Sequence, residues 1–312
     1  MNILITGGCG YTGTVLTNSL LKKGHKVTVV DTEWFGNYLK KNKNLKVIKE
    51  DIRNQNKINL AGIDTVVHLA NIANDPGAEL NPNLSWEVNV LATQKLTENA
   101  IANKVKQIIF ASSGSVYGVK TEDQVTEDLS LVPISTYNKT KMIAERVLKS
   151  YENEIKIHSI RPATVCGFSP RMRLDVSVNM FVFQALKYKS LTVFGGQQVR
   201  PNIHIKDLIN TYIHFIDNPN LLAGPYNAGF ENLKIIDIAK KVSNIIPSKI
   251  EVLDNNDPRS YRQNSDKLVS TGFKREFSVD DAIKEIIEKY EKKEFKESDK
   301  CYTVKWMKKL EL

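Results

Sequence analysis

The sequence predicts an α/β fold, in which a doubly wound parallel sheet is followed by a smaller C-terminal α/β region. Two observations favour this fold. Up to about residue 160, short apolar runs alternate with longer amphipathic stretches, as strands and helices do in a wound sheet. Beyond Pro162 the elements become shorter and mixed. We therefore divide the chain into a first part, residues 1–165, and a second part, residues 166–312, from which a strand or helix can return to the first.

Six short runs in the first part have the composition of strands that are buried on both faces of a parallel sheet. They are mostly apolar, rich in β-branched residues, and cover residues 2–6, 26–30, 46–50, 65–69, 107–112 and 156–161. Between them, apolar residues recur at helical spacing over residues 14–23, 84–103 and 135–151. Six strands in this order indicate a Rossmann sheet.

The second part carries a different series of elements. The pattern predicts a helix over 178–188, strands over 191–194 and 202–205, and helices near Asp207, Ile235 and Val279. We expect this region to cap the carboxyl edge of the sheet and to bind the substrate there. The stretch 290–312 holds seven lysines against five acidic residues, so we expect a solvated helix end and tail.

Composition and charge exclude several classes of protein. The net charge is +9, but 44 basic residues are interleaved with 35 acidic ones, which argues against a nucleic-acid partner. The three cysteines, Cys9, Cys166 and Cys301, match no metal-ligand spacing and indicate a reducing compartment. No apolar run approaches the roughly 20 residues of a membrane span, and Met1 leads directly into a strand. We therefore expect a cytoplasmic protein with no metal and no membrane partner.

A glycine-rich loop connects the first strand to the first helix. The sequence Thr6-Gly7-Gly8-Cys9-Gly10-Tyr11-Thr12-Gly13 fits the dinucleotide-binding pattern, with Gly7, Gly10 and Gly13 as one set of its glycines. Such glycines allow a tight turn and let the backbone approach a pyrophosphate, which the helix N-terminus then favours. Cys9 in this loop has two interpretations. It is either a reactive thiol whose ionisation the helix N-terminus favours, or a small buried side chain with a packing role only, called here a buried filler.

An acidic residue at the end of the second strand selects the cofactor. Asp31 follows Gly13 by 18 residues, the position from which a carboxylate binds the ribose hydroxyls of the cofactor. Its charge repels a 2′-phosphate, and neither Thr32 nor Glu33 supplies a cation, so NAD is favoured over NADP. Asp51 and Ile52 follow the third strand. They either border the adenine of the cofactor or simply end the strand, with no role in binding.

A tyrosine and a lysine lie one helical turn apart in the third predicted helix. Tyr137 and Lys141 share one face of that helix, and Ser112 and Ser113 end the fifth strand with hydroxyl groups. A tyrosine with its ordinary pKa near 10 needs a nearby cation to act as a base near neutrality. Lys141 is placed to be that cation, and the serine hydroxyls can bind a substrate oxygen.

Taken together, these motifs resemble the extended short-chain dehydrogenases/reductases of the nucleotide-sugar epimerase/dehydratase family. The resemblance spans roughly residues 1–270. It is carried by the glycine loop, Asp31, Asp51-Ile52, His68-Leu69-Ala70, Asn89, Ser112-Ser113, Val116-Tyr117-Gly118, Tyr137, Lys141, Arg161-Pro162, Asn179, Arg200, His204 and Asp207.

The resemblance implies a set of roles. Ser113, Tyr137 and Lys141 would form the catalytic triad, and Asn179 and Arg200 would hold the substrate diphosphate. The cofactor would contact the glycine loop with Tyr11, Asp31, Asp51, Ile52, Leu69, Ala70, Asn89, Tyr137, Lys141 and Pro162. The expected reaction oxidises a nucleotide-diphosphate sugar at C4, with Tyr137 as the base and NAD as the hydride acceptor. Relatives of this kind pair through the helices at 84–103 and 135–151, so the resemblance also implies a homodimer.

The fate of the 4-keto sugar separates the alternatives. A 4,6-dehydratase would need carboxylates where this chain has Ser113-Gly114-Ser115, so an epimerase or a C4 dehydrogenase in surface-polysaccharide synthesis is favoured. A non-catalytic NAD-binding redox sensor is the remaining alternative, although such proteins lose the tyrosine or lysine. Four arginines are also expected to contact the phosphate or sugar of the substrate, although each could instead be a solvated surface residue: Arg171, Arg173, Arg259 and Arg262.

Overall fold

A computed structural model of the protein describes residues 1–254 and 260–312. Twelve strands are present in these residues: β1 (Asn2–Thr6), β2 (Lys26–Asp31), β3 (Leu45–Lys49), β4 (Thr65–His68), β5 (Gln107–Ala111), β6 (Lys156–Pro162), β7 (Thr164–Cys166), β8 (Ser190–Phe194), β9 (Val199–His204), β10 (Gly224–Ala228), β11 (Glu231–Lys234) and β12 (Lys249–Leu253). The helices are α1 (Tyr11–Lys22), α2 (Asp75–Ala78), α3 (Pro82–Trp86), α4 (Ala92–Ala102), α5 (Thr136–Lys149), α6 (Ser177–Tyr188), α7 (Ile205–Asp217), α8 (Ile235–Ile245), α9 (Asp266–Ser270), α10 (Val279–Glu291) and α11 (Thr303–Lys309).

A seven-stranded parallel sheet forms the centre of the molecule, in the order β10-β6-β5-β4-β1-β2-β3. Successive side chains of a strand point to opposite faces of a sheet. Accordingly, Ile3 and Ile5 of β1 belong to one apolar cluster and Leu4 belongs to another. The first cluster includes residues of α1, α6, α7 and α10, and the second includes residues of α3, α4 and α5. Helices therefore cover both faces, which confirms the predicted Rossmann-type α/β class.

The six strands predicted in the first part are all present, with ends shifted by one residue at most. The predicted helix over 84–103 differs, because a π-helical turn, Glu87–Leu91, joins α3 to α4. Asn89 lies in that turn, where its amide accepts a hydrogen bond from the backbone N–H of Ile72 at 2.7 Å. The turn thus positions the loop after β4, in keeping with the usual association of π-turns with functional sites.

The two parts of the chain share the large sheet. Strand β10, from the second part, pairs with β6 in parallel register, from Gly224 beside His158 to Ala228 beside Pro162. Two smaller sheets are present as well: a three-stranded one, β11-β9-β7, in which β7 spans the boundary between the two parts, and a two-stranded one, β12-β8. In residues 1–254 and 260–312, no helix is long and apolar enough to cross a bilayer.

The expectation of a solvated tail was wrong for residues 298–312. Cys301, Thr303 and Met307 are buried, with Met307 only 1% exposed, and Trp306 donates a hydrogen bond to the backbone oxygen of Trp34 at 2.6 Å. Lys305, Lys308 and Lys309 are exposed, as is Leu310, whereas Cys301 and Met307 pack into the protein. Helix α11 has only seven residues, which is too short for its apolar face to show as a periodic pattern.

Two buried histidines make the free energy of unfolding depend on pH. Burial lowers the pKa of His158 to about 4 and that of His68 to about 3, whereas an unfolded chain titrates near 6.5. The unfolded state therefore binds more protons below pH 6.5, so this stabilisation is present above pH 6.5 and is lost as the pH falls toward 4. For His158 the loss is on the order of 3 kcal/mol.

The substitution His158→Phe isolates this contribution, because the ring packs between Phe215 and Tyr226 and phenylalanine preserves an aromatic contact. We expect the difference in unfolding free energy between the variant and the original protein to change by about 3 kcal/mol from pH 7 to pH 4. Urea titrations at both pH values measure it, and a packing cost common to both pH values cancels. A difference that stays constant with pH would contradict the assignment.

Candidate active site

A cavity of about 600 Å³ lies at the carboxyl edge of the large sheet. Both parts of the chain contribute to its wall. Most residues predicted from the sequence line it, namely Gly7, Gly10, Tyr11, Gly13, Asp31, Asp51, Ile52, Leu69, Ala70, Ser113, Tyr137, Lys141, Pro162, Arg171, Arg173 and Arg200. This is the edge at which open α/β sheets bind their ligands.

The glycine loop presents backbone rather than side chains to this cavity. Gly7 adopts a φ of +73°, and a Cβ atom at Gly13 would lie 2.2 Å from the carbonyl oxygen of Gly7. Gly10 begins α1 without a side-chain cap, so the first amides of the helix border the cavity along with Tyr11 and Thr12. The loop therefore fits a dinucleotide pyrophosphate, which needs close backbone approach and the positive end of a helix.

Asp31 ends β2 at the cavity wall, and backbone amides hold its carboxylate. The amides of Cys9 and Glu33 donate to its two oxygens at 2.9 and 2.7 Å. Burial raises the pKa of Asp31 above its ordinary value, against these hydrogen bonds and the charge of Arg171. These hydrogen bonds fix the orientation of the carboxylate at the cavity wall.

The same geometry decides between the two interpretations of Cys9. The residue is 1% exposed, and burial together with the charges of Asp31 and Glu33 raises the pKa of its thiol well above the ordinary range. Burial is the largest factor that opposes a thiolate at this position, and the two carboxylates oppose it further. Cys9 is therefore a buried filler, and the activated-thiol alternative was wrong.

Tyr137 lies in the first turn of α5 and reaches the cavity beside Ser113. Ser135 caps this helix by accepting a hydrogen bond from the amide of Asn138 at 3.2 Å, which fixes where the first turn begins. Burial raises the pKa of Tyr137 to about 12, whereas a hydrogen bond with Ser113 and the charge of Arg173 lower it. Burial thus opposes the phenolate, and Ser113 and Arg173 favour it.

Lys141 extends beneath Tyr137 and is 1% exposed. Its ammonium donates to the backbone oxygen of Ala111 at 2.7 Å and lies 5.9 Å from the ring centroid of Tyr137. Burial lowers the pKa of Lys141 to about 7, against the raising effect of Glu145. Lysine and tyrosine are therefore adjacent, as the sequence predicted, and the lysine titrates near neutrality.

Two arginines from the loop after β7 enter the cavity. Arg173 donates to Asp175 at 2.8 Å, and despite burial this cation holds the pKa of Asp175 at about 2. Arg171 stacks over the ring of Phe35 at 4.1 Å, and its buried Nε atom has no hydrogen-bond partner. Sequence reasoning placed both against the substrate. The structure places Arg173 near Tyr137 and Arg171 beside the loop that follows Asp31.

Three predicted residues lie outside the cavity wall. Asn89 is engaged with Ile72 and donates to Thr140 at 3.0 Å. Asn179 donates to the hydroxyl of Tyr11 at 3.1 Å and to the backbone oxygen of Arg173 at 3.0 Å, so it positions its neighbours. Arg262 is exposed. The fourth, Arg259, lies outside the described residues.

Several cavity residues had not been singled out from the sequence: Trp34, Phe35, Asp75, Tyr212, Tyr261, Thr303 and Met307. Trp34 and Phe35 could have been found, because they follow Asp31 by three and four residues. The remainder come from distant segments whose approach depends on the tertiary fold. Within residues 1–254 and 260–312, no group of three or more metal-binding side chains is placed to hold a metal ion.

The wound sheet, the glycine loop at the first helix, and the serine, tyrosine and lysine in one cavity define the class: an enzyme of the short-chain dehydrogenase/reductase type. The model of the NAD dependent epimerase/dehydratase family matches residues 3–229, and the chain belongs to this family. This confirms the resemblance and the expected cofactor, NAD.

Individual proteins agree with this assignment. An uncharacterised UDP-glucose epimerase of Bacillus subtilis is 32% identical over 266 residues, covering 78% of this chain and 82% of that protein. A UDP-glucose 4-epimerase of Thermotoga maritima, solved with UDP-glucose, superposes with a TM-score of 0.85 at 25% identity, covering 94% of this chain and 99% of the other. The UDP-glucuronic acid 4-epimerase of Bacillus cereus, solved with UDP-glucuronic acid and NAD, superposes with a TM-score of 0.82 at 26% identity. The match covers 94% of this chain and 99% of the other.

Proposed function

We propose that the protein is a nucleotide-sugar 4-epimerase, which oxidises the C4 hydroxyl of a nucleotide-diphosphate sugar and reduces the ketone from its opposite face. One observation carries the proposal. Ser113, Tyr137 and Lys141 line the same cavity as the glycine loop and Asp31, so a base and a dinucleotide site share one space. The two similar solved structures named as 4-epimerases support the choice of carbon and of outcome.

The proposed chemistry assigns one task to each side chain. Tyr137 takes the proton of the C4 hydroxyl, and Ser113, which hydrogen-bonds to Tyr137, holds the sugar oxygen. Arg173 and Lys141 favour the negative charge that develops on the tyrosine oxygen. NAD supplies the hydride acceptor and later the donor. Proton transfer back from Tyr137 then completes the epimer.

The residues after β5 support an epimerase over a 4,6-dehydratase. Elimination of water requires an acid and a base in addition to the tyrosine. Positions 113–115 are Ser-Gly-Ser and carry no carboxylate, and the Ser115 hydroxyl is already engaged, donating to Asn138 at 2.6 Å. Retention of both Tyr137 and Lys141 in the cavity likewise argues against a non-catalytic NAD sensor.

We propose that Arg200 contacts the substrate diphosphate, because its strand, β9, brings it to the cavity from the second part of the chain. For Asn179 we propose a positioning role in place of the diphosphate contact that the resemblance implied, because its side chain holds Tyr11 and the 167–173 loop. Arg171 is better placed for the cofactor than for the sugar, since it stacks on Phe35 next to Asp31. Arg259 and Arg262 stay sequence-based candidates for the diphosphate.

The proposal extends to assembly and location. Trp86 and Leu91, on α3 and the π-helical turn, are 38% and 53% exposed, which supports a homodimer through the helical stretches 84–103 and 135–151. Three unpaired cysteines support a reducing, cytoplasmic location. A role in surface-polysaccharide synthesis would fit a nucleotide-sugar product. Light scattering of the purified protein tests the dimer, and a monomeric mass would refute it.

A panel of nucleotide sugars tests the reaction. The enzyme, with NAD, is incubated separately with UDP-, GDP-, CDP- and dTDP-sugars, while absorbance of reduced nicotinamide and the sugar products are followed together. We expect conversion of one class to its C4 epimer with no net NADH. Stoichiometric NADH with a keto sugar would replace the proposal by a C4 dehydrogenase, and loss of water would replace it by a dehydratase.

A further inference from the structure

Residues 298–312, called here the 298–312 segment, lie beyond the region matched by the family model, which ends at residue 229. The segment consists of a 3-10 turn, Asp299–Cys301, followed by α11. Cys301, Thr303 and Met307 are 6%, 3% and 1% exposed. Two of these, Thr303 and Met307, line the cavity that contains Asp31 and Tyr137. The segment is therefore part of the cavity wall.

Hydrogen bonds join this segment to both sides of the cavity. On one side, the indole N–H of Trp306 donates to the backbone oxygen of Trp34, three residues after Asp31, at 2.6 Å. On the other, the amide of Thr303 donates to Asp175 at 2.8 Å, and the amide of Leu174 donates to the oxygen of Cys301 at 2.9 Å. The 298–312 segment thus bridges the loop after β2 and the loop after β7.

Those two loops carry groups that face the dinucleotide site. The first contains Trp34 and Phe35 and adjoins the carboxylate proposed to bind the cofactor ribose. The second carries Arg171, which stacks on Phe35, and Arg173, whose partner Asp175 is the acceptor for Thr303. Met307 belongs to the apolar cluster that contains Ile72 and Ala78, and Trp34 and Phe35 pack against the same cluster. The 298–312 segment therefore contacts two of the loops that line the dinucleotide site.

We propose that the 298–312 segment is a strap across the cofactor site, in which Thr303 and Met307 contact bound NAD and Trp306 positions the strap. The strap slows the release of NAD. This matters for a reaction that returns hydride to the same sugar, because a cofactor that left between the two transfers would strand the ketone. The inference depends on NAD binding and is independent of which sugar is the substrate.

Binding measurements without any sugar test the strap. The substitution Trp306→Phe removes one hydrogen bond while keeping an aromatic ring, and Met307→Ala removes part of the wall. Leu310→Ala is the matched control, because Leu310 follows α11 and is 36% exposed. Calorimetric titration gives the NAD Kd, stopped-flow NADH fluorescence gives the dissociation rate, and urea unfolding gives the stability of each variant.

We expect Trp306→Phe to raise the NAD Kd and the dissociation rate about fivefold, the loss for a hydrogen bond of ordinary strength. Met307→Ala should raise both by at least as much, and Leu310→Ala should leave them unchanged. A lower urea midpoint with an unchanged Kd and dissociation rate would overturn the proposal and leave the segment as a structural brace. Unchanged values in all measurements would overturn it as well. If no nucleotide sugar is epimerised but the strap variants still change NAD binding as expected, only the epimerase proposal is rejected.

Discussion

Replacing Tyr137 with phenylalanine is expected to lower kcat by about 10²- to 10⁴-fold, the usual contribution of a general base. The hydroxyl is the only group removed, and it is the one that hydrogen-bonds to Ser113 in the cavity. The ammonium of Lys141 lies 5.9 Å from the centroid of the Tyr137 ring. The NAD Kd should change little, because the ring remains and the glycine loop and Asp31 are untouched. Steady-state kinetics and NAD titration measure the two quantities separately.

Tyr151→Phe is the matched control for this variant. Its hydroxyl also makes one hydrogen bond, to Glu98 at 2.8 Å, but at the protein surface away from the cavity. The same atom is removed, so activity should remain within the error of the assay. Retention of more than a third of the activity by Tyr137→Phe would exclude the tyrosine as the base and with it the proposed reaction.

Replacing Glu145 with glutamine is expected to cost about 3–5 kcal/mol of unfolding free energy, because it leaves a buried cation without its counterion. Arg161 and Glu145 are 5% and 9% exposed and form a bidentate pair, with contacts of 2.6 and 3.0 Å. Ser112 also donates to this carboxylate, and Arg161 donates to the hydroxyl of Tyr117 at 2.7 Å. A guanidinium does not lose its proton in proteins, so the variant has no route to relieve the unpaired charge.

Urea unfolding measures this loss, with Glu288→Gln as the control. Glu288 pairs with Lys292 at 2.5 Å on the exposed surface of α10, where solvent screens the charges, so its replacement should leave the midpoint within experimental error. Equal small effects for both glutamates would contradict the view that Arg161 depends on Glu145.

Glu145 also favours the charged form of Lys141, so the alkaline limb of the pH profile of activity should shift to lower pH in Glu145→Gln.

The parallel sheet was predictable because each of its early strands is buried on both faces and is followed by a helix or loop of distinct composition. Strands such as β12, whose residues are mostly exposed, have no such signature. Strand β10 begins Gly224-Pro225, a pair typical of turns, and it becomes a strand because β6 offers an unpaired edge. Its assignment depends on a partner more than sixty residues away.

The candidate site likewise contains residues that local sequence motifs predict and residues that only the tertiary fold brings together. The glycine loop, Asp31, Ser113, Tyr137 and Lys141 were found because each lies at a fixed distance from a strand or helix end. The involvement of Arg173 in the charge at Tyr137 was missed, because the two residues are 36 positions apart and meet through the fold. The 298–312 segment was predicted as solvated because its lysines dominate the composition, and composition does not reveal which side a short helix buries.

The position of β10 has a consequence for how the chain matures. During synthesis, β6 leaves the ribosome well before residues 224–228, and until they emerge the growing polypeptide carries an open row of backbone donors and acceptors. Neighbouring nascent chains can pair with that row. We therefore expect translation speed between these two strands, or a chaperone that shields the edge, to affect the yield of native enzyme.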